Sequence, residues 1–252
     1  MSVQRVNPCR LLVDAGNSRF KWALDYGDRL GEMEACPSRA GREVLRRTWR
    51  SLPVPQSICV SNVAGAEVAR VISQTCLSLW GMNPVFASPL RTFSGFTVIY
   101  QEPKKLGVDR WLAALAAWTR YAGPTLVVDC GTAVTVDAVD ACGQHLGGVI
   151  APGPDLQRIS LLSRTDIQAD AVPGAISLLG VDTSSCIEAG VVQGIAGLVE
   201  RMHRKLALIL ETQVFIVLTG GAGEVIGRAL DVDYEFEPRL VLLGLSIAGN
   251  DS

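Results

Sequence analysis

The stretch that decides the fold is Leu126-Val127-Val128-Asp129-Cys130-Gly131-Thr132-Ala133-Val134-Thr135-Val136-Asp137. A short apolar run that ends in a turn signal predicts a strand inside a sheet, and a second strand follows it at once. Gly131 allows a tight turn and lets backbone amides come close to a bound anion. Asp129 stands where a cation would be held, and Thr132 offers a hydroxyl to a phosphate oxygen or a metal.

The same pattern occurs near the start of the chain, in Leu11-Leu12-Val13-Asp14-Ala15-Gly16-Asn17-Ser18. A single Asp-x-Gly after an apolar run is common in ordinary β-turns. Two copies, roughly half a chain apart and each followed by a strand-like segment, favour a duplicated fold around a nucleotide phosphate. On the strand predicted after the first copy, Lys21 either reaches back to a phosphate or alternates outward from the sheet.

The composition limits the class of partner. The 252 residues permit one large domain or two of ordinary size, and 48% of them are hydrophobic, which is ample for a core. Lys and Arg number 23 against 25 Asp and Glu, so the formal net charge is −2. Without a long block of like charge, we expect no nucleic-acid partner held mainly by electrostatics. An anionic small molecule needs only a few backbone amides and one Arg.

Cysteine and histidine usage indicates the compartment and the chemistry. The seven cysteines are scattered without a Cys-x-x-Cys pair, as expected for free thiols in a reducing cytosol. Residues 1–10 do not resemble a signal peptide, and no window approaches the ~18–20 apolar residues of a membrane span. We therefore expect a soluble cytoplasmic protein that does not bind membranes. His203 is predicted on an exposed helix face and His145 in a hairpin, so a carboxylate is the expected proton acceptor.

The order of elements predicts an α/β protein with a mixed sheet. Strand-like runs at residues 57–63, 126–137 and 214–219 alternate with helical patterns at 66–80 and 154–163. The longest predicted helix carries an apolar stripe, which is typical of core and sometimes of a dimer face. Its apolar positions keep helical spacing at Ile187, Val191, Ile195, Leu198, Met202 and Leu206.

Asp109 lies at the start of an Ala- and Leu-rich run that predicts a helix ending at Gly123-Pro124. Asp is a favoured N-cap, a role worth ~0.5–2 kcal/mol. The other interpretation is a general base, with Arg110 pairing with a carboxylate of the substrate. From spacing alone the cap is favoured.

A third strand runs into the glycine turn Thr219-Gly220-Gly221, ahead of a predicted helix. Such a turn can receive an adenosine or a phosphate at the helix N-terminus. The sequence has neither the glycine pattern of a dinucleotide-binding Rossmann fold nor a Walker-type Gly-Lys-Ser/Thr.

Together these motifs resemble those of the superfamily that contains actin, sugar and acetate kinases and heat-shock chaperones. Within it the chain resembles type III pantothenate kinase over nearly its whole length. The motifs that carry the resemblance are Asp14–Ser18 with Lys21, Gly107–Arg110, Asp129–Thr132, Gly147–Gly153 and Thr219–Gly221. The resemblance favours Asp109 as a base. It implies an α/β fold of duplicated ribonuclease H-like (actin-like ATPase) domains, with mixed sheets flanked by helices. The halves would be residues 1–122 and 123–252, the second with a dimer-forming helix.

The resemblance also implies the reaction: ATP-dependent phosphorylation of pantothenate to 4'-phosphopantothenate, the first step of coenzyme A biosynthesis, by a homodimer. Asp109 would be the general base, Asp129 would bind the required monovalent cation (K⁺ or NH₄⁺), and Mg²⁺ would enter with ATP near Asp14. The implied ATP-binding residues are Asp14, Ala15, Gly16, Asn17, Ser18, Arg19, Phe20, Lys21 and Thr132. The implied pantothenate-binding residues are Tyr100, Gly107, Val108, Asp109, Arg110 and Thr183.

Two positions depart from the family pattern. Ser18 stands where the family more often has Thr, which keeps the hydroxyl, and Asp182 stands where Asn is expected, which adds a negative charge beside Thr183. Two other functions stay open. One is a catalytically silent accessory or regulatory protein on the same fold, and the other is a sugar or acetate kinase with a different acceptor pocket.

Overall fold

The computed structural model describes residues 9–170 and 176–249. The strands are β1 (Arg10–Ala15), β2 (Arg19–Asp25), β3 (Glu34–Pro37), β4 (Ser57–Asn62), β5 (Val85–Phe86), β6 (Thr92–Phe93), β7 (Phe96–Val98), β8 (Thr125–Cys130), β9 (Ala133–Val139), β10 (Gln144–Pro152), β11 (Phe215–Thr219) and β12 (Glu235–Phe236). The α-helices are α1 (Gly41–Trp49), α2 (Ala66–Trp80), α3 (Val108–Tyr121), α4 (Pro154–Arg164), α5 (Thr183–Leu210), α6 (Gly223–Gly227) and α7 (Leu240–Ala248).

The chain forms two compact units. One comprises the chain up to Leu90, Glu102–Ala116 and the chain from Arg239 onward; the other comprises Arg91–Gln101 and Ala117–Pro238. These units combine segments that are distant in sequence, because the terminal helix α7 packs on β1 and β4 of the first unit. The division into residues 1–122 and 123–252 stays a prediction.

The first unit contains a mixed sheet with the strand order β3-β2-β1-β4-β5. β1 pairs antiparallel with β2 and parallel with β4. Its core contains three fully buried aromatic side chains, which are Phe20 and Trp22 of β2 and Trp49 at the end of α1. The predicted hairpin after Asp14 and the helix at 66–80 are confirmed.

The second unit repeats this arrangement. Its sheet has the order β12-β11-β8-β9-β10-β7-β6, in which β8 pairs antiparallel with β9 and parallel with β11. The order β10-β9-β8-β11-β12 therefore corresponds strand for strand to β3-β2-β1-β4-β5. The expected α/β fold with two mixed sheets is confirmed, and the Asp-x-Gly stretches occupy the same place in each half.

The apolar stripe of α5 is core. Val191, Ile195 and Val199 are buried against the second sheet, so this face of the helix is not available to a partner chain. A buried ion pair between Arg158 of α4 and Glu188 of α5, with Nε–Oε2 at 2.6 Å, fixes the two helices together. Within the described ranges, no helix combines the length and apolar content that crossing a membrane requires.

Candidate active site

The first unit presents a turn at the carboxyl end of β1. The Gly16 amide donates to the Arg19 carbonyl at 3.1 Å, which closes a tight loop between β1 and β2. Asn17, Ser18 and Arg19 are exposed at this loop, as residues that contact ligands commonly are. By contrast, the Ala15 and Phe20 side chains are buried in the core, which leaves these two predicted ATP-binding residues only their backbone for contact.

Asp14 lies in a row of polar residues across this sheet. In the register it is opposite Lys21 of β2 on one side and Ser61 of β4 on the other. Residues opposite one another on adjacent strands share a face, about 4.5–5.5 Å apart. The structure thus places Lys21 beside Asp14 on the same face of the sheet.

The second unit builds the corresponding turn from several backbone segments. The Gly153 amide donates to the Thr132 carbonyl at 3.0 Å, and the Ala222 amide donates to the Cys130 carbonyl at 3.0 Å. A Cβ on Gly153 would lie 2.2 Å from the Gly131 carbonyl oxygen, so only glycine allows these strands to approach. Thr132 is exposed at this turn. The predicted motifs Asp129–Thr132, Gly147–Gly153 and Thr219–Gly221 therefore meet at one place.

Asp129 also lies in a polar row, with Thr135 of β9 on one side and Thr219 of β11 on the other. Its carboxylate rests against the backbone of Gly220, where a Cβ would be 2.3 Å from Oδ1. Burial, together with the Asp129 charge, raises the pKa of the neighbouring Cys130 thiol to about 12. Cys130 is thus a neutral packing residue and not a nucleophile.

Asp109 lies in the first turn of α3, which begins at Val108. The helix therefore starts two residues earlier than the N-cap interpretation expected, because Asp109 as N-cap would make residue 110 the first helical residue. The Asp109 Oδ1 atom accepts from the Arg110 amide at 2.8 Å, and a Cβ on Gly107 would be 2.7 Å from that oxygen. The carboxylate is half-buried, whereas Arg110 is 9% exposed. The motif Gly107–Arg110 is thus a local unit in which the glycine makes room for the carboxylate.

Tyr100 lies in a segment of the second unit that the Arg91 side chain holds by hydrogen bonds on both sides of it. The Arg91 guanidinium donates to the Val98 carbonyl at 2.9 Å and to the Gln101 carbonyl at 2.5 Å. The Tyr100 ring contacts the ring of His145, with centroids 5.9 Å apart. His145 is in the predicted hairpin but fully buried, and its Nε2 is 2.8 Å from Asp137 Oδ1. Sequence reasoning missed this buried pair.

Thr183 is the first residue of α5, and Asp182 is the N-cap. The Asp182 Oδ1 atom accepts a hydrogen bond from the Ser185 amide at 2.8 Å, and the Ser185 hydroxyl oxygen accepts one from the Asp182 amide at 3.1 Å. These two reciprocal bonds form a capping box. Asp and Asn cap helices about equally well, so the departure from the family pattern keeps the structural role. A Cβ on Gly180 would be 2.1 Å from the Cys186 amide nitrogen, so the preceding loop packs tightly on the helix.

The capping role gives a testable pH dependence. The bond from the Ser185 amide, with help from the Ser185 hydroxyl, lowers the pKa of the Asp182 carboxyl. Because the folded-state pKa is below the unfolded one, the stabilisation is present above about pH 4 and is lost as the pH falls through the lowered value. We expect Asp182→Ala to lower Tm by roughly 2–4 °C at pH 7 and Asp182→Asn to keep it. Thermal unfolding from pH 7 to pH 3 checks this: equal Tm values for Asp182→Ala and wild type at pH 7 would contradict the capping role.

Sequence reasoning also missed Ser61 and Thr219 as neighbours of the two aspartates. Each lies at the end of an apolar run in the sequence, as the aspartates do, and this shared pattern could have indicated them. Their position beside Asp14 and Asp129 depends on strand register, which joins residues far apart in the chain.

Solved structures share this fold. A conserved protein from Campylobacter jejuni, described as a Baf family transcriptional activator, is 23% identical with a TM-score of 0.58, and the match covers 96% of this chain and 98% of that one. A protein from Sinorhizobium meliloti, described as a 2-dehydro-3-deoxygalactonokinase, is 15% identical with a TM-score of 0.59 and equal coverage. At these identities the likeness shows the fold alone.

Sequence relatives identify the family. The type III pantothenate kinase from Nitrosomonas eutropha is 35% identical over 240 residues, which cover 94% of this chain and 93% of that one. The enzyme of that name from Dichelobacter nodosus is 42% identical over 184 residues, which cover 72% of this chain and 74% of that one. A sequence profile described as type III pantothenate kinase matches residues 10–205. The chain belongs to the type III pantothenate kinase family, which is a family of kinases.

Proposed function

We propose that this protein transfers the γ-phosphoryl group of ATP to the primary hydroxyl of pantothenate, giving 4'-phosphopantothenate in the first step of coenzyme A biosynthesis. The observation that carries the proposal is membership of the family. Asp14, Asp109, Asp129 and Thr132 are present in the motifs that carry the resemblance. We place the reaction in the cytoplasm, because all seven cysteines are free thiols.

We assign ATP binding to the loop from Asp14 to Lys21 in the first unit and to the hydroxyl of Thr132 in the second unit. Exposed amides at the glycine turn suit phosphate oxygens, and Lys21 supplies a positive charge beside Asp14. Asp14 would face the magnesium ion that enters as part of the nucleotide substrate, since Mg²⁺ prefers carboxylate and phosphate oxygens.

We assign acceptor binding to Gly107–Arg110 in the first unit and to Tyr100 and Thr183 in the second unit. Asp109 would take the proton of the primary hydroxyl of pantothenate while the hydroxyl oxygen bonds to the γ-phosphorus of ATP. The bond between the γ-phosphorus and the β,γ-bridging oxygen breaks in the same step, and ADP leaves with that oxygen. Phosphoryl transfer asks the protein mainly to align the reactants and to neutralise charge, so a carboxylate base suffices without histidine. Arg110 would pair with the pantothenate carboxylate.

The oxygen atoms around Asp129 fit a monovalent cation. The Asp129 carboxylate and the Cys130 carbonyl both lie beside Gly220, where a Cβ would be 2.3 Å from Asp129 Oδ1 and 2.6 Å from the Cys130 oxygen. Carboxylate and carbonyl oxygens are the ligand type that hard cations prefer. When bound, K⁺ or NH₄⁺ would offset phosphate charge near Thr132.

This assignment predicts a change in ion dependence. Asp129→Asn keeps the shape of the side chain but removes the charge, so we expect the potassium concentration for half-maximal activity to rise about 10–100-fold. Initial rates over a KCl series, at constant ionic strength set with choline chloride, measure it. If a folded Asp129→Asn protein needs the same potassium concentration as wild type for half-maximal activity, Asp129 does not bind the cation.

We also propose that the protein is a homodimer. Apolar side chains of the second unit are left exposed on and after β10 and α4, outside the core-facing stripe of α5: Ile150 (64%), Ile159 (60%), Leu178 (75%) and Leu179 (79%). Exposed apolar groups of this number commonly mark a partner surface. Light scattering of the full chain tests this, and a monomer mass at micromolar concentration would contradict it.

The experiment for the proposed function measures ADP release by the full chain with ATP, Mg²⁺ and KCl. We expect release with pantothenate and background with glucose or acetate as acceptor, which separates this activity from the sugar and acetate kinases. The accessory-protein alternative predicts no release with any acceptor.

A further inference from the structure

Ser61 carries a buried hydroxyl that the fold does not use. It lies near the end of β4, is fully buried, and its Oγ has no hydrogen-bond partner among the described residues. Burying an unpaired hydroxyl is unfavourable, because its hydrogen bonds to water are lost. Alanine would fill almost the same space without this cost. The hydroxyl therefore suggests a role that begins when a ligand is present.

The position of Ser61 indicates what it would meet. In the parallel pair of β1 and β4 it is the register partner of Asp14, so the two side chains share a face of the sheet. Asp14 is itself 8% exposed. A serine hydroxyl is a donor to a carboxylate, and in a buried setting such a charge-assisted bond is about twice as strong as a neutral one.

The second unit repeats the arrangement independently. Thr219 of β11 is the register partner of Asp129 of β8 and is 1% exposed. The two strands have different sequences, SICVSN and FIVLT, yet both place a hydroxyl residue beside the aspartate. In both strands the residue before the hydroxyl is a buried aliphatic one, Val60 and Leu218, so the polar residue appears where the strand pairs with the aspartate.

We propose that Ser61 is a positioning residue for nucleotide binding: its Oγ donates to one oxygen of Asp14 when the magnesium nucleotide is bound. This leaves the other carboxylate oxygen directed at the ion or its water. The inference rests on the proposed function only in assigning Asp14 to the magnesium nucleotide. Lys21, on the opposite side of Asp14, then remains available for phosphate.

The test compares Ser61→Ala with wild type, with Ser61→Thr and with Ser57→Ala. Thr is the conservative variant because Thr219 occupies the equivalent place, and Ser57→Ala removes a hydroxyl from the other end of the same strand. Calorimetry measures the Kd for ATP with Mg²⁺ and with EDTA in the absence of an acceptor. Thermal unfolding of the ligand-free protein measures Tm.

We expect Ser61→Ala to weaken binding of ATP with Mg²⁺ by about tenfold or more and to leave binding in EDTA unchanged. Its ligand-free Tm should equal that of wild type or exceed it by up to about 4 °C, since an unpaired buried hydroxyl has been removed. Ser61→Thr should restore the magnesium-dependent Kd, and Ser57→Ala should match wild type.

If Ser61→Ala binds ATP with Mg²⁺ as tightly as wild type does, the inference is wrong. It is also wrong if Ser61→Ala has a lower Tm and loses ATP affinity equally with Mg²⁺ and with EDTA, because that result indicates a packing role. These outcomes are separate from the proposed function. A wild type that binds ATP but does not phosphorylate pantothenate removes the proposed reaction, while the Kd series still decides the role of Ser61.

Discussion

Asp109→Asn should reduce kcat for pantothenate phosphorylation by about 10²–10⁴-fold, with the KM for ATP nearly unchanged. Asn keeps an oxygen that can accept from the Arg110 amide, which now bonds to Asp109 at 2.8 Å, so the first turn of α3 should stay intact. What Asn cannot do is take a proton from the acceptor hydroxyl. Steady-state kinetics with both substrates varied, beside thermal unfolding, measure the effect.

The matched control is Asp155→Asn. Asp155 is the second residue of α4, as Asp109 is of α3, and its side chain is 87% exposed. Both variants change an acidic residue in the first turn of a helix, so helix-dipole effects on stability should be similar. Asp155→Asn should retain full turnover. If Asp109→Asn keeps at least half of the wild-type kcat, Asp109 is not the base.

Gly220→Ala should destabilise the protein by about 2–4 kcal/mol and abolish most activity. Gly220 has a φ of +85°, which an L-residue adopts only at a cost. Its Cβ would lie 2.3 Å from Asp129 Oδ1 and 2.6 Å from the Cys130 carbonyl, so the carboxylate must move from its place. Urea unfolding and potassium-dependent turnover measure the two consequences.

Gly221→Ala provides the comparison, because a Cβ at Gly221 would meet no atom within 4 Å. We expect it to keep its stability within about 1 kcal/mol and to retain activity. Equal urea midpoints for the two variants would show that the turn around Asp129 is looser than the structure describes.

The regular elements could be predicted because they carry local signals. The helix at 66–80 was predicted with its bounds, and the helix predicted at 154–163 extends to 164, because apolar spacing and a proline start define such helices. Short edge strands such as β5 and β12 could not be predicted. Two residues show no periodicity, and their pairing depends on a neighbouring strand.

The motifs of the candidate site could be predicted, but not their surroundings. Asp14, Asp109 and Asp129 each follow or begin a recognisable element in the sequence. That Ser61 lies beside Asp14 follows from the pairing of β4 with β1, which joins segments more than forty residues apart and is set by the whole sheet. The burial of His145 against Asp137 likewise depends on packing, since a hairpin position alone is compatible with exposure.

The proposed reaction can be tested by ³¹P NMR of its product. Full-length wild type is incubated with ATP, Mg²⁺, KCl and pantothenate, and the spectrum is followed beside Asp109→Asn. We predict a phosphomonoester signal that grows with ADP, requires potassium or ammonium, and is lost in the variant. A spectrum without this signal from folded wild type, in potassium and in ammonium, would contradict the account.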